Sequence, residues 1–167
     1  LVRLFGGNFD KIYSSISNAY WNHDVEDNAY ILMKNKKNVN ALIHSSATQW
    51  NHKFRLEINL EKGNIILDGI LTSSKSYGKE RLIIVNKNKS DTGFFEKKYS
   101  FSNDDSWDNE INYFISRIKN NKKIIEGNSH EAFKTMKLIF EIYYSDITWR
   151  KKYSIQNPKI YNLDNIK

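Results

Sequence analysis

Phe54-Arg55-Leu56-Glu57-Ile58-Asn59-Leu60, followed at once by Glu61-Lys62-Gly63-Asn64, sets the fold class of this chain. Phe54, Leu56, Ile58 and Leu60 alternate with Arg55, Glu57 and Asn59, the period-two pattern of a strand with one apolar and one polar face. The polar turn that follows is a hairpin connection, so the next strand should return antiparallel. Asn35-Lys36-Lys37-Asn38 makes the same kind of break earlier in the chain. Working outward, segments rich in β-branched and aromatic residues predict strands over 11–19, 28–34, 39–47, 53–60, 64–68, 80–86 and 94–101.

Two helices are expected after the strands. Trp107, Ile111, Phe114, Ile115 and Ile118 fall at helical spacing over 106–120, and Phe133, Met136, Phe140, Tyr143 and Ile147 do so over 129–149, with Asn128 or Ser129 as cap. Asp104-Asp105 reads as helix-start charge rather than a catalytic carboxylate pair. Tyr143-Tyr144 reads as core, and Trp149-Arg150-Lys151-Lys152 as a solvated helix end. Strands first and helices last is an α+β arrangement: a largely antiparallel, open-faced sheet of about six to eight strands with helices packed on one face. Leu82-Ile83-Ile84-Val85 is apolar on both sides, as is much of the stretch from Ala29 to Met33. Two helices cannot cover both faces, so the second face is expected to meet another domain or subunit. Leu1 to Phe5, stopped by Gly6-Gly7, reads as the last turn of a helix whose beginning lies outside the chain.

The 167 residues have the length of one domain, and 40% hydrophobic, 14% aromatic and 27% charged residues make a globular composition. With no cysteine there is neither a disulfide framework nor a thiolate metal site, which fits a cytoplasmic location. The apolar runs are far shorter than the roughly 20 residues of a membrane span, so no membrane association is expected. A net charge of +7 and a pI near 9.4 raise the question of nucleic acid. The basic pairs at 36–37, 97–98, 122–123 and 151–152 are dispersed, however, and dispersed charge makes no focused field. No nucleic-acid partner is expected.

The order of segments resembles the C-terminal domain of the glucose-fructose oxidoreductase / inositol dehydrogenase / rhizopine-catabolism (Gfo/Idh/MocA) family over nearly the whole chain. The likeness rests on Leu1-Val2-Arg3-Leu4-Phe5-Gly6-Gly7, Val25-Glu26-Asp27-Asn28-Ala29, Phe54-Arg55-Leu56-Glu57-Ile58 with Glu61-Lys62-Gly63, Asn109-Glu110-Ile111 with Phe114-Ile115, and the stretch from Ala132 to Ser145. Gln49-Trp50-Asn51-His52-Lys53-Phe54, the run from Ser76 to Leu82, and Asp104-Asp105-Ser106-Trp107 are similar to a subgroup associated with surface-polysaccharide and nucleotide-sugar gene clusters.

The resemblance implies residues 1–156 as a substrate-binding and oligomerisation domain and a Rossmann domain outside this chain, while 157–167 read as a polar tail introduced by Pro158. It implies NAD or NADP in the full-length protein and none bound by these residues, a sugar-type substrate, and homo-oligomers formed through the open sheet face. The glycines at 6, 7, 63, 69, 78, 93 and 127 form no G-x-G-x-x-G. Neither Glu61-Lys62-Gly63 nor Glu96-Lys97-Lys98 matches the family's Glu-Lys-Pro, and none of His23, His44, His52 or His130 stands in its Asp-x-Gly-x-x-His setting. No catalytic residue is therefore carried over.

The substrate-binding candidates are His44, Gln49, Trp50, His52 and Tyr77, a polar and aromatic set that can hydrogen-bond and stack on a sugar. An ordinary strand end with a half-buried Trp is the plainer explanation of the first four, and a tight turn around Gly78 explains Tyr77. Arg55 and Arg81 are candidate contacts for a nucleotide-sugar phosphate, or plain surface arginines. His44 and His52 have no carboxylate at ligand spacing, so no metal is expected. Outside the oxidoreductase reading stands a non-catalytic α+β module that binds a carbohydrate or a protein.

Overall fold

A computed structural model describes residues 1–72, 74–87 and 93–161. Among the described residues seven strands and four α-helices follow in the order α1 (Val2–Gly6), β1 (Lys11–Ser17), β2 (Asn28–Lys34), β3 (Asn40–Ser46), β4 (Arg55–Leu60), β5 (Gly63–Asp68), β6 (Glu80–Lys87), β7 (Phe94–Phe101), α2 (Ser106–Lys119), α3 (Ser129–Ser145) and α4 (Ile147–Lys152), with a short 3-10 turn at Pro158–Ile160. Every strand pairing is antiparallel, as the hairpin connections predict. The strands divide into two meanders, β1-β2-β3 and β4-β5-β6-β7, rather than one sheet. The chain accordingly forms two compact units, one of residues 1–48 and 124–167, the other of residues 49–123.

In the first unit the period of two produces a clean separation of faces. Ile12 pairs with Met33 and Met33 with Ala41; Ile31 pairs with Ile43; Ile16 pairs with Ala29. These side chains share one face, and with Phe9, Val2, Leu138 and Ile142 they make the core, in which Met33 is fully buried. The opposite face, with Tyr13, Leu32 and Leu42 in one row and Tyr30 beside His44 in the next, stays exposed. Helix α3 covers the inner face, beginning at Asn128, whose side-chain oxygen accepts from Glu131 N–H at 3.0 Å. Arg3 pins α1 to α3 by donating to Glu131 and to Thr135 Oγ1, both at 2.8 Å.

The single helix expected over 129–149 is broken. Asp146 leaves helical backbone, caps α4 through Trp149 N–H at 2.8 Å, and accepts from Ile16 N–H on the free edge of β1, also at 2.8 Å. One carboxylate thus closes an edge strand and starts a new helix. The break turns Trp149 inward, so this residue is buried instead of solvated as the sequence suggests. The polar tail is described as far as Tyr161. Pro158 is fully buried and Lys137 donates to Tyr161 O at 3.0 Å, so this part lies against α3; residues 162–167 lie outside the described residues.

In the second unit, Leu56, Ile58, Ile65, Leu67, Leu82, Ile84 and Tyr99 share one face of β4–β7, while Arg55, Glu57, Asp68 and Arg81 share the other. Both helices were expected to pack on a sheet, and here α2 departs from that. No residue of α2 is buried, and Trp107, Ile111, Phe114, Ile115 and Ile118 remain 42–72% exposed. Its amphipathic pattern forms the helix without supplying a cover.

Candidate functional site

The second unit brings two of the sequence-derived candidates together. His52 precedes β4, and Tyr77 lies in the turn before β6. Their rings sit 5.0 Å apart, tilted by 41°, and His52 Nδ1 is 2.8 Å from Ser76 Oγ. From Ser76 a chain of hydroxyls runs to Ser74 at 2.9 Å and on to Thr72 at 3.2 Å. Each hydroxyl can donate and accept, so an exposed imidazole continues into a flexible set of polar partners beside an aromatic face.

The backbone that carries this cluster is held at both ends. Gly69 N–H donates to Phe54 O at 3.0 Å, and Leu71 N–H donates to Glu80 Oε2 at 3.0 Å. Gly69 has φ 75°, and a Cβ there would come within 2.3 Å of Lys79 O, so only glycine closes this loop. Gly78 N–H closes the tight turn on Lys75 O at 3.2 Å, as expected around Tyr77. Gln49 and Trp50 belong to the same unit but stand in solvent, with Trp50 fully exposed.

His44 lies in the first unit, on the open face of β3. Its ring stacks on Tyr30 at 4.2 Å and 10°, and its Nε2 is 3.5 Å from Asn28 Oδ1. Asn28 Nδ2 in turn donates to Thr48 Oγ1 at 2.9 Å. The arginines considered for phosphate are engaged within the sheet: Arg55 pairs with Glu57 at 3.3 Å, and Arg81 pairs with Asp68. Among the described residues no group of three or more His, Asp or Glu could hold a metal ion. No helix among them is long and apolar enough to cross a membrane.

Sequence reasoning missed the role of Asp27. It ends the acidic run Asp24-Val25-Glu26-Asp27, is 3% exposed, and receives three successive backbone N–H groups on one oxygen: Ala19 at 2.8 Å, Tyr20 at 2.7 Å and Trp21 at 3.3 Å. The N–H of Tyr20 above all, with Asn28, Trp21 and Ala19, holds its carboxyl below the usual value against the opposing effect of burial. Its neighbours face the C-terminal helices. Tyr143 donates to Glu26 at 2.6 Å, and Tyr153 donates to Asp24 at 3.0 Å. Burial first, and the Glu26 bond second, push the Tyr143 phenol up to about 12. The signal in the sequence was Val25-Glu26-Asp27-Asn28-Ala29, legible as a motif but not as a clamp for the connection 18–24.

A dinucleotide would need a glycine-rich turn between a strand and a helix N-terminus, with free N–H groups for the pyrophosphate. The described residues do not fit. Their strands are antiparallel meanders, and the start of α3 after Gly127 is closed by the Asn128 side chain.

Residues 1–66 match the family model described as the GFO/IDH/MocA C-terminal domain. No curated protein matches the chain in sequence. Among solved structures, a proposed NADPH-dependent oxidoreductase from Desulfitobacterium hafniense superposes with a TM-score of 0.68 at 11% identity, over 87% of this chain and 43% of its own. A proposed oxidoreductase from Yersinia pestis gives 0.63 at 14% identity over 88% and 44%. Another from Bacteroides fragilis gives 0.62 at 13% identity over 90% and 46%. The chain therefore spans less than half the length of these structures and shares their fold. Residues 1–66 thus resemble the GFO/IDH/MocA C-terminal domain family, and the fold shared with these structures extends over most of the chain.

Proposed function

We propose that this chain is the substrate-facing and oligomerising domain of an NAD(P)-dependent oxidoreductase that acts on a sugar or nucleotide sugar, in carbohydrate metabolism or surface-polysaccharide biosynthesis in the cytoplasm. The observation that carries the proposal is the combination of the family match over residues 1–66 with a fold that covers most of this chain and under half of each similar structure. A Rossmann domain elsewhere in the full-length protein binds NAD or NADP. The reaction is hydride transfer between a sugar carbon and nicotinamide, with its acid/base groups outside this chain. In the second unit His52 and Tyr77, with Gln49 and Trp50 nearby in the chain, contact substrate; in the first unit His44 does so from its stack on Tyr30. Homo-oligomers form through the exposed sheet face of Tyr13, Leu32 and Leu42, a contiguous apolar surface of the kind interfaces use.

Calorimetric titration with NADH and NADPH tests the division of labour. Residues 1–167 alone should bind neither, and the full-length protein should bind one of them saturably. Saturable binding by the isolated chain, or a full-length sequence with no Rossmann unit before Leu1, would overturn the proposal.

A further inference from the structure

We propose that the connection between β1 and β2, residues 18–24, forms with Lys152 a binding site for a neutral pyranose ring, a site separate from the His52–Tyr77 cluster. An open groove of about 440 Å³ lies here, lined by that connection and Lys152 and contained wholly in the first unit. The connection is fixed rather than loose. Asp27 gathers the N–H groups of Ala19, Tyr20 and Trp21, Asn18 Nδ2 donates to His23 O, Trp21 Nε1 donates to Ala47 O at 2.9 Å, and Asp24 accepts from Tyr153.

This backbone holds aromatic rings out in water. Tyr20 is 74% exposed and Trp21 44%. Tyr20 meets Trp21 edge-on, with centroids 5.0 Å apart, and His23 lies nearly parallel to Trp21 at 6.2 Å and 14°. Rings fixed in place before binding lose little conformational freedom when a ligand stacks on them, and the C–H face of a pyranose is a matching apolar surface.

The polar groups around the rings select the class of ligand. Asp24 keeps a second carboxylate oxygen as acceptor, the Lys152 ammonium is a donor, and the Asn22 side chain is both, a set suited to adjacent hydroxyls. Lys152 is placed over the rings of Tyr153 at 4.8 Å and Trp149 at 5.4 Å. The charges that line the groove, Asp24 and Lys152, balance each other, and the buried Asp27 is already satisfied by amides. An anionic ligand would therefore gain one cation and face one carboxylate, whereas a neutral polyol uses both.

The test is an indole ¹⁵N-labelled chain titrated with glucose, galactose and N-acetylglucosamine, with glucuronate and adenosine as contrasting arms and the Trp21 signal assigned through Trp21→Phe. At least one neutral sugar should shift the Trp21 Nε1–H signal saturably. Tyr20→Ser and Lys152→Met, both changes of exposed side chains, should each weaken that binding about tenfold while the amide spectrum stays folded. No saturable shift with any neutral sugar, an equal affinity in both variants, or a response to glucuronate or adenosine alone would overturn the proposal. The measurement uses neither cofactor nor turnover, so its failure leaves the oxidoreductase reading standing, and the reverse also holds.

Discussion

Asp27 concentrates more structural consequence in one side chain than any other residue of the first unit, because its carboxylate replaces water for three consecutive N–H groups. Asp27→Asn keeps the shape but turns one acceptor oxygen into a donor, which must face either those amides or Asn28 Nδ2, so it should lower the urea midpoint and broaden the Trp21 environment. The folded carboxyl lies below its unfolded value of about 3.9. Its contribution is therefore complete above that value and is lost as pH falls through the folded one. The gap between the wild-type chain and Asp27→Asn should be open at neutral pH and close below about pH 4. A gap of the same size at both ends would show that the carboxylate charge is irrelevant. Tyr143 has the opposite sign. Its phenol is raised to about 12, so its contribution is full below the unfolded value of about 10 and declines as pH climbs toward about 12. Tyr143→Phe should remove the latest-ionising phenol from a tyrosinate absorbance titration and flatten the alkaline loss of stability.

The helices differ in whether their apolar stripes find a surface, and this decides what their side chains contribute. Ile111→Ser on α2, where the side chain is half exposed, should change unfolding free energy by no more than about 0.5 kcal/mol. Met33→Ala, in the strand that α3 helps to cover, should cost about 2–5 kcal/mol. Asp146→Ala removes the cap of α4 and the partner of Ile16 N–H together and should cost about 1–2 kcal/mol. Urea titrations of the three variants measure this order, and an Ile111→Ser effect as large as that of Met33→Ala would mean α2 is packed. Strands such as β2 and β4, and the start of α3 at Asn128, were legible because alternation and capping are local properties of the chain. The break at Asp146 was not, since Tyr143 and Ile147 keep helical spacing and the break follows from an edge N–H on a distant strand. The candidate site was legible in the same uneven way. His52 and Tyr77 could each be singled out by residue type, but their contact depends on the Gly69 loop. The connection 18–24 was hidden because a strand expected over 11–19 ran into it, and the amides that Asp27 collects leave no trace in side-chain pattern.

At the scale of the whole chain, the seven strands were readable but their division into two sheets was not, because nothing local in the connection from Ala47 to Phe54 states whether β3 and β4 pair. The division has a thermodynamic consequence. Phe9, Ala29, Ile31, Met33 and Trp149, the buried hydrophobic residues among those described, all belong to the first unit, while in the second the only described residue that is buried is Gly69. Local opening energies follow buried apolar contact, so two central strands with complete hydrogen-bond ladders should differ in protection. Amides of β2 should exchange only through opening of the whole first unit, whereas those of β5 should exchange through a cheaper opening that already occurs at low denaturant. Native-state hydrogen exchange of residues 1–167 reads both strands in one experiment. If the apolar face of Leu56, Ile65, Leu82 and Ile84 is covered by another part of the full-length protein, β5 protection should rise there toward that of β2 while β2 itself barely changes. Equal protection of the two strands in the isolated chain would contradict this, and would mean that the second sheet draws its stability from something other than buried apolar surface.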